Sequence, residues 1–224
     1  MCGRFTLFTS MEEIMERFDI QGSFDEDYQF SYNIAPSQSV LSVINDGTRN
    51  RLGYLRWGLI PFWAKDEKVG YKMINARAET IAEKASFKNA YKKKRCLIIA
   101  DSFYEWKKTP ERKIPMRIKL KDDAPFGMAG LFETWKSLDG TSIHSCSVIT
   151  TAPNELMTGI HDRMPVILKR GDEKAWLDLS IHDTGYLQQY LKPFDSEQME
   201  AFEVSTDVNS PQNNSPSLIQ QMCR

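Results

Sequence analysis

Cys2 offers more chemistry than any other position in the chain. Methionine aminopeptidases remove Met1 when the next side chain is small, and cysteine qualifies. The mature chain is then expected to begin with an α-amine and a thiol on one residue. An α-amine has a pKa of about 7.7–8.0, so part of it is neutral and nucleophilic at pH 7. An unperturbed thiol titrates near ~8.5. Such a 1,2-aminothiol condenses with an aldehyde, first to a Schiff base and then to a five-membered thiazolidine. The alternative for Cys2 is a small residue at an unconstrained terminus. Glu105, between aromatics in Phe103-Tyr104-Glu105-Trp106, suits a proton shuttle because apolar flanks raise a carboxyl pKa. A solvent-facing strand residue paired with Lys107 or Lys108 is the other reading. Asn75 can donate and accept hydrogen bonds at a reacting group, or cap a helix beginning at Ala78. His161, followed by Asp162, is a neutral-pH acid/base candidate, or a structural histidine. His144 and His182 are read as structural.

Patterning supplies the elements that must hold these residues. A short strand is expected over 4–8. The capping box Ser10-Met11-Glu12-Glu13 opens a helix with Ile14, Met15 and Phe18 on its apolar face. Residues 40–44, the Asp46-Gly47 turn and alternating Leu52, Tyr54 and Arg56 form a hairpin. A helix is expected over 78–91, with Lys92-Lys93-Lys94-Arg95 as its solvated basic end. Strands follow at 96–100, 103–107 and 115–120, and a second hairpin pairs 128–135 with 143–150. Helices at 172–179 and 185–191 and a strand at 201–204 complete the order. Strands and helices do not alternate regularly, which disfavours a doubly wound parallel sheet. The pattern predicts an α+β fold: one domain spanning 1–224, with a central antiparallel, barrel-like sheet flanked by short helices. The tail from Asn209, rich in Ser, Pro, Asn and Gln, reads as loop or partly flexible.

Composition excludes several classes. Twenty-nine basic residues against thirty acidic ones leave a formal charge of -1, so bulk electrostatic capture of nucleic acid is out, though a local basic groove is not. No run of 18 apolar residues exists to span a membrane. Cys2, Cys96, Cys146 and Cys223 are far apart with no C-x-x-C pair, and the three histidines are scattered. No metal site is expected, and the thiols fit a reducing cytoplasm. Without a phosphate-binding glycine loop or an H-E-x-x-H motif, no cofactor is expected either.

Seven segments occur in a fixed order: Met1-Cys2-Gly3-Arg4-Phe5, Asn33-Ile34-Ala35-Pro36, Trp57-Gly58-Leu59-Ile60-Pro61, Asn75-Ala76-Arg77-Ala78-Glu79-Thr80, Arg95-Cys96-Leu97, Phe103-Tyr104-Glu105-Trp106 and His161-Asp162-Arg163-Met164-Pro165. Val208-Asn209-Ser210-Pro211 closes the series. Together they resemble the SRAP (SOS response-associated peptidase) family, abasic-site processing proteins that cross-link to single-stranded DNA. The resemblance implies a thiazolidine bond between Cys2 and the aldehyde of an abasic site, with Asn75, Glu105 and His161 assisting. It implies Arg4 and Arg77 as phosphate contacts. Asn33, Pro36 and Trp63 then line or wedge a bent strand, with Trp57 in the core. The implied partner is single-stranded DNA carrying an abasic site, with single-strand/double-strand junctions as a further candidate, bound by a monomer. The family's older name adds a thiol-peptidase reading, with Cys2 as nucleophile and Glu105 and His161 as acid/base and orienting groups. A non-covalent single-strand binding module with a structural Cys2 is the third reading.

Overall fold

In a computed structural model, residues 2–24 and 27–222 are described; Met1 and Cys223, which carry expectations above, lie outside them. The strands are β1 (Phe5–Leu7), β2 (Ser31–Ile34), β3 (Ser39–Asn45), β4 (Asn50–Trp57), β5 (Asn75–Arg77), β6 (Arg95–Ala100), β7 (Ser102–Lys108), β8 (Lys113–Leu120), β9 (Phe126–Lys136), β10 (Ser142–Thr151), β11 (Met164–Pro165) and β12 (Met199–Glu203). The α-helices are short: α1 (Met11–Arg17), α2 (Lys88–Lys93), α3 (Glu155–Thr158), α4 (Arg170–Leu177) and α5 (Thr184–Gln188).

Five strands close into a barrel. β10 pairs with β4, β4 with β3, β3 with β6, β6 with β9, and β9 returns to β10. The expected antiparallel order holds around this ring except at β4–β10, which run parallel. Past Cys146, β5 takes β4's place beside β10, also parallel, with Asn75 opposite Val148 and Arg77 opposite Thr150. The intervening chain, 58–74, loops out between the two parallel neighbours. Cys96, Ile98, Met128 and Val148 share one face of the ring and are fully buried, each large apolar side chain contributing roughly 1.5–3 kcal/mol by leaving water.

The second sheet, in the order β12-β8-β7-β1-β2, is antiparallel throughout. Its two faces have different partners. Phe5, Phe103 and Ile118 join the barrel core, and the Phe5 and Trp57 rings lie 5.1 Å apart. Tyr104, one residue on and hence on the opposite face, packs instead with Val204, Val208 and Leu218. Residues beyond Asn209 are loop, as their composition predicts, apart from a 3-10 turn at Pro216–Ile219; most are exposed, but Leu218 is buried.

Two local expectations need correction. The helix over 78–91 shrinks to Lys88–Lys93, preceded by turns. The Ala78 amide donates to Thr150 O at 2.9 Å, extending the β5–β10 pairing and keeping the start of this segment out of a helix. The basic run is not uniformly solvated either. Arg95 is fully buried, its guanidinium donating to Trp176 O, Tyr91 O, Lys92 O and Asp178 O.

Candidate active site

Strands β5 and β7 bring polar groups to Cys2, and the loop after α3 adds a third behind them. The residue lies just ahead of β1 and is 0% exposed. Asn75 opens β5 and donates from Nδ2 to Cys2 O at 2.8 Å. It is a strand residue, not a helix cap. Trp57 fixes its approach by donating from the indole to Ile74 O at 2.9 Å. Glu105 lies on β7, on the Phe103 face by strand alternation, and is 3% exposed. The solvent-facing alternative for it does not hold. His161 follows α3, with Nε2 3.8 Å from Glu105 Oε2. Its Nδ1 lies 3.1 Å from the Arg163 amide and 2.9 Å from Asp162 Oδ1, a donor and an acceptor that select opposite protonation states.

Burial dominates the electrostatics. It pushes the Glu105 carboxyl above the usual range, and the charge of His161 opposes it only in part. Burial, and then the negative charge of Glu105, push the Cys2 thiol well up as well. Both shifts favour the neutral forms, the carboxyl's toward a group that can donate a proton and the thiol's away from a standing thiolate. Asn75 Oδ1 is buried and has no hydrogen-bond partner among the described residues, leaving an acceptor to be filled. No group of three or more His, Cys, Asp or Glu that could hold a metal occurs among the described residues.

A cavity of about 620 Å³ lies beside the site, lined by Trp106, Lys108, Thr158, His161 and Asp162 among others. Trp63 is exposed on the 58–74 loop, Pro36 is half-buried in the turn after β2, and Arg77 is exposed at the end of β5. Arg4 and Asn33 face inward: both are buried, and Arg4 Nη1 donates to Asn33 Oδ1 at 2.7 Å. Sequence reasoning missed Phe62 and Tyr71, which join Trp63 as exposed aromatics on the same loop. The adjacent pair in Pro61-Phe62-Trp63 was the available signal. It also missed Arg163, whose guanidinium grips Glu79 through both nitrogens, at 2.6 and 2.9 Å, tying the His161 loop to the chain after β5. His144 contacts Thr134, and His182 faces Lys92 O, both away from this group. No helix among the described residues is long and apolar enough to cross a membrane.

Known proteins resemble this chain in sequence and fold. Abasic site processing protein YoqW of Bacillus subtilis is 59% identical over 222 residues, covering 98% of this chain and 99% of that one. Abasic site processing protein HMCES of Xenopus tropicalis is 35% identical, covering 86% of this chain and 66% of its own. A crystal structure of a protein from Bacteroides thetaiotaomicron matches with a TM-score of 0.88 at 30% identity, over 99% of this chain and 100% of that one. The family model described as SOS response associated peptidase (SRAP) matches residues 1–211. With the match covering all four residues of the cluster around Cys2, the chain belongs to the SRAP family.

Proposed function

We propose that this protein processes abasic sites in single-stranded DNA by holding them in a covalent thiazolidine on Cys2. The grouping of an amide on the Cys2 carbonyl, a buried carboxyl that acts on the Cys2 thiol and an imidazole beside that carboxyl carries this reading. The relatives' names support the substrate class. The ring-opened sugar of an abasic site bears an aldehyde. With Met1 removed, the α-amine of Cys2 adds to the aldehyde carbon and gives a carbinolamine. Glu105, whose burial favours the protonated form, donates to the departing hydroxyl, and water leaves as the C=N bond forms. The thiol then adds across C=N: sulfur bonds to carbon and its proton ends on nitrogen. Overall one C–N and one C–S bond are made and one water is lost. Asn75 holds the Cys2 carbonyl, and its unfilled Oδ1 suits an N–H of the reacting amine. His161 replenishes the Glu105 proton across their 3.8 Å separation. Arg77 meets a phosphate, while Trp63, Phe62 and Tyr71 offer faces to unstacked bases.

A thiol peptidase would need a depressed thiol pKa, and the upward push on Cys2 disfavours it. We assign the reaction to a monomer in the cytoplasm, where thiols stay reduced. The test is a denaturing gel with single-stranded DNA carrying one abasic site. Wild type gives a shifted band and Cys2→Ala none. Cys2→Ser gives one only after borohydride traps the imine. Intact mass should show loss of Met1; an adduct on a chain that retains it would refute the amine mechanism.

A further inference from the structure

Arg4 and Asn33 spend their hydrogen bonds inside the molecule. Arg4 is 9% exposed and donates from Nη1 to Asn33 Oδ1 at 2.7 Å and to Val208 O at 2.6 Å. Asn33 is 2% exposed and donates from Nδ2 to Ser210 O at 2.9 Å and Asn213 O at 2.8 Å. The Trp106 indole donates to Asn209 Oδ1 at 2.7 Å, and the Arg4 guanidinium lies 5.8 Å from a Trp106 ring centre. Farther along, Arg117 donates to Ile219 O at 3.1 Å. Residues 206–219 therefore run across the outer face of the second sheet. They are fastened at a residue two places beyond Cys2 and at one directly beyond Glu105.

We infer that this C-terminal run is a positioning strap for the reacting N-terminus, with Asn33 as its latch and Asn209 as its hold on Trp106. The inference rests on the functional reading above. A chain terminus ordinarily frays, and loss of Met1 shortens the anchorage of Cys2 further. An amine attacking an aldehyde must be held in line with its proton donor, and a misplacement of about 1 Å can cost roughly 100-fold in rate. Arg4 is the side chain nearest Cys2 in sequence that is held by two hydrogen bonds, and the strap supplies one of them through Val208 O. By this geometry Asn33 is a positioning residue and not a DNA contact. Its amide is fully used between Arg4 and the strap.

Single-turnover cross-linking over a range of DNA concentrations separates the two roles. Non-covalent binding of undamaged single strands is measured in parallel in a Cys2→Ala background. Asn33→Ala is expected to lower the rate at saturating DNA by about 10- to 100-fold, to leave undamaged-strand binding unchanged, and to speed hydrogen exchange over residues 2–8. A kept saturating rate with weakened binding would overturn the strap. Should Asn33→Ala fail to fold, Asn209→Ala decides, since it removes one indole hydrogen bond near the surface. Its saturating rate should fall about fivefold, the worth of one such bond, and Asn209→Asp, which keeps the acceptor, should restore it. A wild-type rate in Asn209→Ala overturns the proposal. Absence of any wild-type adduct would sink the functional reading and the strap with it; a wild-type adduct with unaltered variant rates sinks the strap alone.

Discussion

A carboxyl as deep as Glu105 loses most of its hydration when ionised, and His161 at 3.8 Å returns only part of that loss, so its pKa stays raised. The sign of the linkage follows. Between the unfolded carboxyl pKa of about 4.3 and the higher folded value, the native state holds a proton that the unfolded chain has released. Stability from this group is therefore greatest at low pH and falls as pH rises through the folded pKa. Glu105→Gln removes the buried charge while keeping the shape. Its melting temperature should exceed that of wild type at pH 8, by about 2–4 °C per kcal/mol relieved, with the difference shrinking toward pH 4. Cross-linking should slow by about 100-fold or more, the usual worth of a positioned acid. The alkaline limb of the rate profile should vanish, leaving the acid limb set by the Cys2 amine. A variant less stable than wild type at pH 8 would show that Glu105 is a structural ion and not a stored proton. The aromatic flanks in Phe103-Tyr104-Glu105-Trp106 pointed to this burial but left a solvent-facing reading open; the position of Glu105 on the Phe103 side of β7 decides it. The orientation of Arg4 and Asn33 was not legible. Their partners lie in a tail 175 or more residues away, whose composition resembles loop.

Among the elements, β5 shows why a three-residue strand escapes pattern reading. Asn75–Arg77 has too few residues for a period, and the alanines and charges that follow look helical. Its conformation comes from outside: β10 alongside, Trp57 gripping Ile74 O, and Thr150 O taking the Ala78 amide. The hairpins and β6 were legible because their apolar runs are long enough to declare a face. The loop that delivers β5 depends on a backbone approach between Gly58 and Gly70. Gly58 has φ of +133°, and a Cβ there would meet Gly70 O at 2.7 Å. Gly58→Ala should therefore cost about 1–3 kcal/mol by forced displacement, read in a thermal melt. It should also slow adduct formation at saturating DNA, because the shift propagates to Asn75. Loss of stability with a wild-type saturating rate would mean that the loop does not set the position of Asn75.

At the scale of the whole molecule, the charge balance of -1 gains meaning from where the charges lie. Arg4, Arg95 and Arg117 are buried, donating to carbonyls and side chains within the fold, and Arg17 is committed to Glu173 at 2.8 Å. Near the cavity and β5, Arg77 and Lys108 are exposed and form no ion pair among the described residues. These two cations can neutralise about two phosphates of a single strand. At about 0.7 counterions released per phosphate, log K for undamaged single strands should fall against log salt with a slope of about -1.4. A rise from about 50 to about 200 mM salt would then weaken binding only roughly tenfold. The final yield of adduct on abasic DNA should change little over the same range, since a bond that accumulates does not need a tight encounter. A slope of about -5 or steeper, measured by fluorescence anisotropy with Cys2→Ala, would require seven or more phosphate contacts. Selectivity would then have to come from an extended basic groove, and the aldehyde chemistry at Cys2 would act only after binding had already chosen the strand.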